Sequence, residues 1–523
     1  MKKLLCIFAV LALILSLFAG CKNQDEPYEP TGNALGDTNS ITDDENQTPQ
    51  ALTLTYYKNL SLNPLTCNDY TNRAIFSLLY QSLFSVSREY KIEPVLCKNY
   101  RMSQDMKTYT FYVESAVFSN GATLTAGDVA ATLQAARQSK VYSGRFRHID
   151  DISLTEDGGV RILLDTPMEN LPILLDIPIL LASDLENPRP AGTGPYVLDE
   201  TGHTSYLRRR SNWWCQSNLV VTADAITLLQ AQSNPKIRDD FQFGQLNIVC
   251  ADPGSDKFAD YRSDFELWNC ENGMFLFLAC SMDSEVFSNA EVRAALTHAI
   301  DREMITDEHY HGYATAVTLP ASPNFPYYSQ SLADKYGFDS AKFTAALENS
   351  GMVGKEISFV VNSDDSLRVR VARSIAQMLT DCGLVVNLRE LSSNRYIETV
   401  KVRNFDLYLG QTILSPNMDL SEFFHEYGDL SFGGINDVGA YSLCLDALAN
   451  YGNYYSLYKY VMENGLLCPV LFRSYAIFGT RGLITDLTPA RDNVFYYSIG
   501  KNMEQAILRE PEPTDNGQVT VDD

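Results

Sequence analysis

Apolar positions alternate with polar ones in short runs over the first half of the chain. Residues 52–56 (LTLTY), 108–113 (TYTFYV) and 160–164 each read as β-strands with one buried face. Between them, residues 75–80 give an amphipathic helix. Thr125-Ala126-Gly127-Asp128 forms a capping box that opens a second helix, with Val129, Leu133 and Ala136 on one face. Residues 165–190, punctuated by prolines, read as a helix-and-loop crossover into AGTGPY at 191–196. Two glycines and a proline in that hexad make a tight loop, which feeds a β-hairpin ending at Asn212-Trp213-Trp214.

Beyond Trp214 the pattern changes to strand–helix alternation. Strands are expected at 225–229, 246–249, 274–280, 357–361, 384–388 and 405–410. Helices are expected at 235–243, at 342–347 and at 367–382. Another is expected after a Ser288-x-x-Glu291 cap, with Val292, Ala295, Leu296, Ala299 and Ile300 on one face. This order predicts an α/β protein with a mostly parallel sheet covered by helices on both faces.

The ends of the chain read differently. Lys2 and Lys3 precede an apolar run at 4–18, interrupted by Ser16 and followed by Ala19-Gly20-Cys21. The run is short for the ~20 residues of a membrane span, and its small-residue end marks a cleavage point. The string LFAGC resembles the bacterial lipobox, which implies a signal peptide at 1–20 and lipidation of Cys21. Acyl chains contribute ~0.8 kcal/mol per buried CH₂, enough in combination for stable anchoring. Residues 21–50 are polar, poor in large apolar side chains, and read as a disordered tether; 509–523 read as an acidic disordered tail. The expected location is therefore the outer face of the cell membrane.

With 523 residues the chain exceeds one core. Its formal net charge of −24 excludes nucleic acid as a partner, since phosphate binding needs a basic footprint. Cys67, Cys97, Cys215, Cys250, Cys270, Cys280, Cys382, Cys444 and Cys468 are odd in number and form no C-x-x-C; they read as small core residues, with at least one thiol free. Strings for a nucleophile elbow, zinc protease, Walker loop or dinucleotide fold are absent, so no enzyme and no cofactor or metal are expected. His309 and His311 form an H-x-H that reads as a solvated pair on a surface loop.

Six segments, in collinear order, carry a resemblance. They are LNPLTCNDYTNRAIFSLLYQSLF, TYTFYVESAVFSNGATLTAGDV, AGTGPYVL, RRRSNWW, NAEVRAALTHAIDREMI, and the pair FDSAKFTAALENSGM and ARSIAQMLTDCGLVVNLREL. In this order they resemble the extracellular solute-binding proteins of the oligopeptide, dipeptide and nickel class (family 5) that serve ABC importers. The resemblance implies a two-lobed periplasmic-binding-protein-like fold of class II type, with an inserted β-rich subdomain. One lobe would be 51–275 with 469–508, carrying the insertion at about 85–185; the other would be 276–468. Hinge bending is expected near 275–280 and 466–472. Trp213 and Trp214 would be packing residues.

The function implied is capture of a small solute, above all a peptide, by a lipid-anchored monomer that delivers it to ABC permease subunits. A sensory or interaction protein with a degenerate cleft is the alternative. The ligand-lining loop of peptide binders maps onto Cys67, Asn68, Asp69 and Tyr70, and a second cleft segment onto Gln411, Thr412 and Leu414. Peptide binders place an aspartate near Leu414 to pair with the ligand α-ammonium, and a tryptophan where Gln411 stands. This chain has neither, and Asp419 could substitute only through a re-routed loop. Arg473 and Tyr475 are further candidates, the arginine as a bidentate partner for a ligand carboxylate or as half of a structural ion pair.

Overall fold

The computed structural model describes residues 52–509 apart from 217, 218, 220, 256, 257, 259, 263, 485, 486, 492 and 500–502. The expected signal peptide, Cys21, the expected tether and nearly all of the expected acidic tail lie outside the described residues. No helix among the described residues is long and apolar enough to cross a membrane.

The alternating run near residue 52 forms strand Thr53–Tyr56, which pairs in parallel with Ala225–Gln230. That strand continues antiparallel to Ser205–Arg209, and Ser205–Arg209 to Tyr196–Asp199, the hairpin expected after AGTGPY. The loop itself is pressed against the backbone of the short helix Phe76–Leu79. The Gly194 N–H donates to the Leu79 carbonyl at 2.9 Å, and the indole N–H of buried Trp213 donates to the Thr193 carbonyl at 3.0 Å.

A second sheet runs Ile507–Arg509, Cys97–Met102, Thr108–Val113, Val160–Leu164, Ile149–Leu154. The helix Ala126–Ala136 packs against it through fully buried Val129, Leu133 and Ala136, and the Thr125–Asp128 capping box is formed on both sides. Ile507–Arg509 is the last described strand, so regular structure extends to the first residue of the stretch expected to be a disordered tail.

The third sheet organises the molecule. Its order is Ile248–Ala251, Cys468–Thr480, Phe265–Cys280, Leu407–Ile413, Glu356–Asn362, Val385–Leu391. The two long central strands run antiparallel to each other, joining a neighbour at one end to a different neighbour at the other. Their register shifts between Glu271 and Phe275, where Gly273 has φ +72°. Residues 274–280 are almost wholly apolar because both faces are covered. Leu276 and Leu278 join the core beneath the helix Ser366–Asp381, while Phe275 and Phe277 face the opposite core.

Three expectations need correction. This sheet is mixed: only the two pairings of Glu356–Asn362, with Val385–Leu391 and with Leu407–Ile413, are parallel, and the other long pairings are antiparallel. Strand–helix order constrains neighbours in sequence, but these central partners lie some two hundred residues apart. The strand expected to begin at residue 274 begins at Phe265, because its first half is a half-exposed edge with polar Glu266, Asn269 and Glu271. Finally, the helix Ala290–Ala295 is capped by Asn289, whose side chain accepts from the Glu291 and Val292 N–H groups, and not by Ser288. The nine cysteines at 67 and beyond are all buried thiols.

Candidate functional site

A cleft of about 450 Å³ opens beside the register shift of the two long strands, within the range of roughly 300–1,000 Å³ usual for small-molecule sites. Several separate elements line it. Cys67 and Asn68 precede the helix Tyr70–Arg73, which adds Arg73. Residues 140–145 and Arg147 come from around the turn Ser143–Phe146, beside the second sheet. Asn272, Met274 and Tyr475 come from the long strands, Thr412 to Ser415 from the end of Leu407–Ile413 and just beyond, and Arg491 from the returning chain. A second hollow of about 480 Å³ lies beside Gly192, but its lining comes only from residues 62–200 and its Arg189 is already paired with Glu200 at 2.7 Å.

Of the residues expected at the site, Cys67, Asn68, Thr412, Leu414 and Tyr475 line the cleft. Leu414 is held by its backbone, donating to the Gly273 carbonyl at 3.0 Å and accepting from Arg491. Gln411 pairs opposite Leu276 in the strand and does not line it.

The other expected residues are committed elsewhere. Asp69 caps the helix Tyr70–Arg73, accepting from the Asn72 N–H at 2.9 Å; burial raises its carboxyl pKa, with backbone hydrogen bonds opposing. Tyr70 stacks on Tyr475 with ring centroids 5.5 Å apart, and its hydroxyl accepts from Asn234; burial first, then Asp252, pushes the phenol up. Arg473 grips both oxygens of Asp252, each at 2.9 Å. Burial opposes the guanidinium charge, the Asp252 carboxylate more than restores it, and the pKa ends above its usual value. Among the two roles open to Arg473, the geometry is that of the structural ion pair.

Asp419 does not stand in for the missing aspartate either. It is buried against His148, whose Nε2 lies 3.3 Å away, and accepts from the Ser421 N–H and hydroxyl. His148 Nδ1 meets Asp165 at 3.1 Å, and neighbouring Arg147 meets Glu422 at 3.6 Å. Burial disfavours the imidazolium, but Asp419 and Asp165 outweigh it and the His148 pKa is raised. Burial likewise disfavours the Asp419 carboxylate, but His148 and the Ser421 N–H leave its pKa lowered.

The pair's stabilisation is therefore fully present below the ordinary histidine value of 6.5 and is lost as pH rises through the raised folded value. On the acid side it is fully present above the ordinary carboxylate value of 3.8 and is lost as pH falls from there through the lowered folded value. The melting-temperature difference between the wild type and Asp419→Asn should thus be largest in mildly acidic buffer and shrink in both directions. A pH-independent difference would show that the two groups are not coupled.

Sequence reasoning missed Arg73, Lys140, Arg145, Arg147 and Arg491. The cluster Lys140, Arg145, Arg147, His148 was a visible signal, a basic stretch in a chain with 41 basic against 65 acidic residues. Arg491 gave none. His309 lies in the last turn of the helix Arg302–Tyr310, with Nε2 2.9 Å from the Ser374 hydroxyl, instead of lying on a loop; His311 follows the helix as a left-handed cap.

The model of bacterial extracellular solute-binding proteins, family 5 (middle), matches residues 91–431. The chain belongs to this family. Its relatives include the glutathione-binding protein GsiB of Salmonella typhi, 25% identical over 355 residues that span 64% of this chain and 68% of GsiB. Among solved structures, the ABC transporter substrate-binding protein CtaP of Listeria monocytogenes superposes with a TM-score of 0.67 at 17% identity, over 85% of this chain and 97% of CtaP. The oligopeptide-binding protein AppA of Bacillus subtilis, in complex with a nonapeptide, gives 0.59 at 19% identity, over 86% and 99%. These likenesses show the fold, a two-lobed α/β binding-protein fold. This family 5 protein is a solute-binding protein and not an enzyme, and proteins of its family deliver their ligands to ABC transporters.

Proposed function

We propose that this protein captures a small solute, with peptides the first class to test, in the cleft beside Gly273 and passes it to ABC permease subunits. The lipid on Cys21 would hold it at the membrane as a monomer. The lobes would be 51–275 with 469–508, and 276–468. One observation carries the reading: a cleft of about 450 Å³ whose lining converges from both sides of the two long strands. The register shift between Glu271 and Phe275 supplies a hinge candidate, because glycine at φ +72° absorbs a backbone change without Cβ strain. A cleft of this volume favours capture over a sensory protein with a degenerate site. The peptide reading draws on the ligands of GsiB and AppA.

The test is thermal unfolding against panels of peptides, sugars and metal chelates. A true ligand at one hundred times its Kd adds about 2.7 kcal/mol of stability. One panel should raise the melting temperature in a concentration-dependent way. No shift with any solute, from a sample verified as ligand-free, would remove the capture reading.

A further inference from the structure

The cleft's lining carries Arg73, Lys140, Arg145, Arg147 and Arg491, and no aspartate or glutamate. Acidic residues outnumber basic ones by 65 to 41 in this chain, so a cationic lining runs against the composition. Arg145 and Arg147 meet carboxylates behind the surface, at Asp176 and at Glu422. Arg491 does not. The residue is only 5% exposed, yet its Nε and Nη1 atoms have no hydrogen-bond partner among the described residues; Nη2 donates to the Leu414 carbonyl. Glu271 borders the adjoining hollow, but its oxygens accept from the Tyr90 and Ser322 hydroxyls, and Arg491 makes no ion pair among the described residues.

A buried guanidinium without a counter-charge is costly unless something else supplies one. Gly273 indicates that the position is built for it, since a Cβ there would collide with the Arg491 guanidinium. We propose that the cleft takes a small polyanionic solute, with two or more carboxylate or phosphate groups, one of which pairs with Arg491. This rests on the solute-capture reading above and adds the charge class of the ligand. A second anionic group would meet the Lys140–Arg147 wall, which belongs to a different element. A free α-ammonium has no carboxylate in the lining to receive it, so neutral and basic peptides are disfavoured. The focusing of cationic field in a recess of an otherwise acidic protein would select such ligands by charge.

Titration calorimetry on the intact protein tests this with triglutamate, citrate and inositol trisphosphate against trialanine and trilysine. At least one anion should bind about tenfold or more tightly than trialanine, with affinity falling as salt rises. Which anion wins separates carboxylate from phosphate. Arg491→Gln should weaken that binding about tenfold or more, with Arg491→Lys between. Without ligand, Arg491→Gln should melt no lower than the wild type, whereas a merely structural arginine would lower the midpoint. Trialanine or trilysine binding as tightly as the anions, or an Arg491→Gln variant of undiminished affinity, overturns the charge assignment and leaves solute capture standing. Failure of every probe, together with the wider panel above, overturns both.

Discussion

Replacing Gly194 by alanine should destabilise the protein by about 3 kcal/mol or more and sharply reduce the soluble yield. A Cβ at this position would lie 2.6 Å from the Leu79 carbonyl oxygen and 2.7 Å from that of Leu78. Both are backbone atoms at the end of the helix Phe76–Leu79, so neither can swing aside as a flexible side chain would. The same approach lets the Gly194 N–H satisfy the Leu79 carbonyl at 2.9 Å, while the Gly194 carbonyl accepts from Arg210 at 3.0 Å. Relief of the clash therefore breaks hydrogen bonds on both sides of the loop. Gly202 is the control, because a methyl group added in its open turn would meet nothing nearer than 3.7 Å; Gly202→Ala should stay within about 0.5 kcal/mol. Urea and thermal midpoints of the two variants check this, and equal midpoints would show that the loop can move.

Arg302→Met should cost about 3 kcal/mol or more, for a different reason. Arg302 is buried, and its fork donates to the carbonyls of Pro469 at 2.8 Å, Thr297 at 2.9 Å and Ile300 at 3.1 Å, and to the Thr297 hydroxyl at 2.8 Å. It thereby ties the start of the long strand Cys468–Thr480 to the turn that follows the helix Ala290–Ala295. Burial lowers its pKa, and four oxygens in place of a carboxylate offset that cost. Methionine fills the volume but leaves the acceptors without donors. Lysine should recover little, because one ammonium cannot reach both sides of a planar fork. Urea midpoints for Arg302→Met and Arg302→Lys near the wild-type value would contradict this account. Ligand affinity measured well below the midpoint should be nearly unchanged, since Arg302 does not line the cleft.

Both residues stand in motifs that were legible in the sequence, AGTGPY and AIDREMI, and both turn out to shape the frame and not the cleft. Local signals read well where one segment carries the whole determinant. The Thr125 capping box, the buried face of Val129, Leu133 and Ala136, and the helix at 366–381 needed only neighbours a turn away. The cleft was legible in part. Asn68, Thr412 and Leu414, read from collinearity with the family, and Tyr475, read from the returning strand, share the lining of one hollow. Arg473 and Asp419 were read as candidates because arginine and aspartate suit ligand termini, but Asp252 and His148 reach them from 221 and 271 positions away.

By itself the sequence determined the α/β class, the family and the glycine loop, because these rest on local periodicity and on motifs a few residues long. It also showed a strongly acidic chain, which by itself suggests no anionic ligand. Only the tertiary structure decided the mixed sheet and the charge of the cleft. Those depend on which side chains from distant segments share one recess, and on which of their charges find partners first. Arg491 is the clearest case: an ordinary arginine in TPARDNV, it becomes a buried cation with two nitrogens unpartnered among the described residues, and Gly273 clears the space it enters.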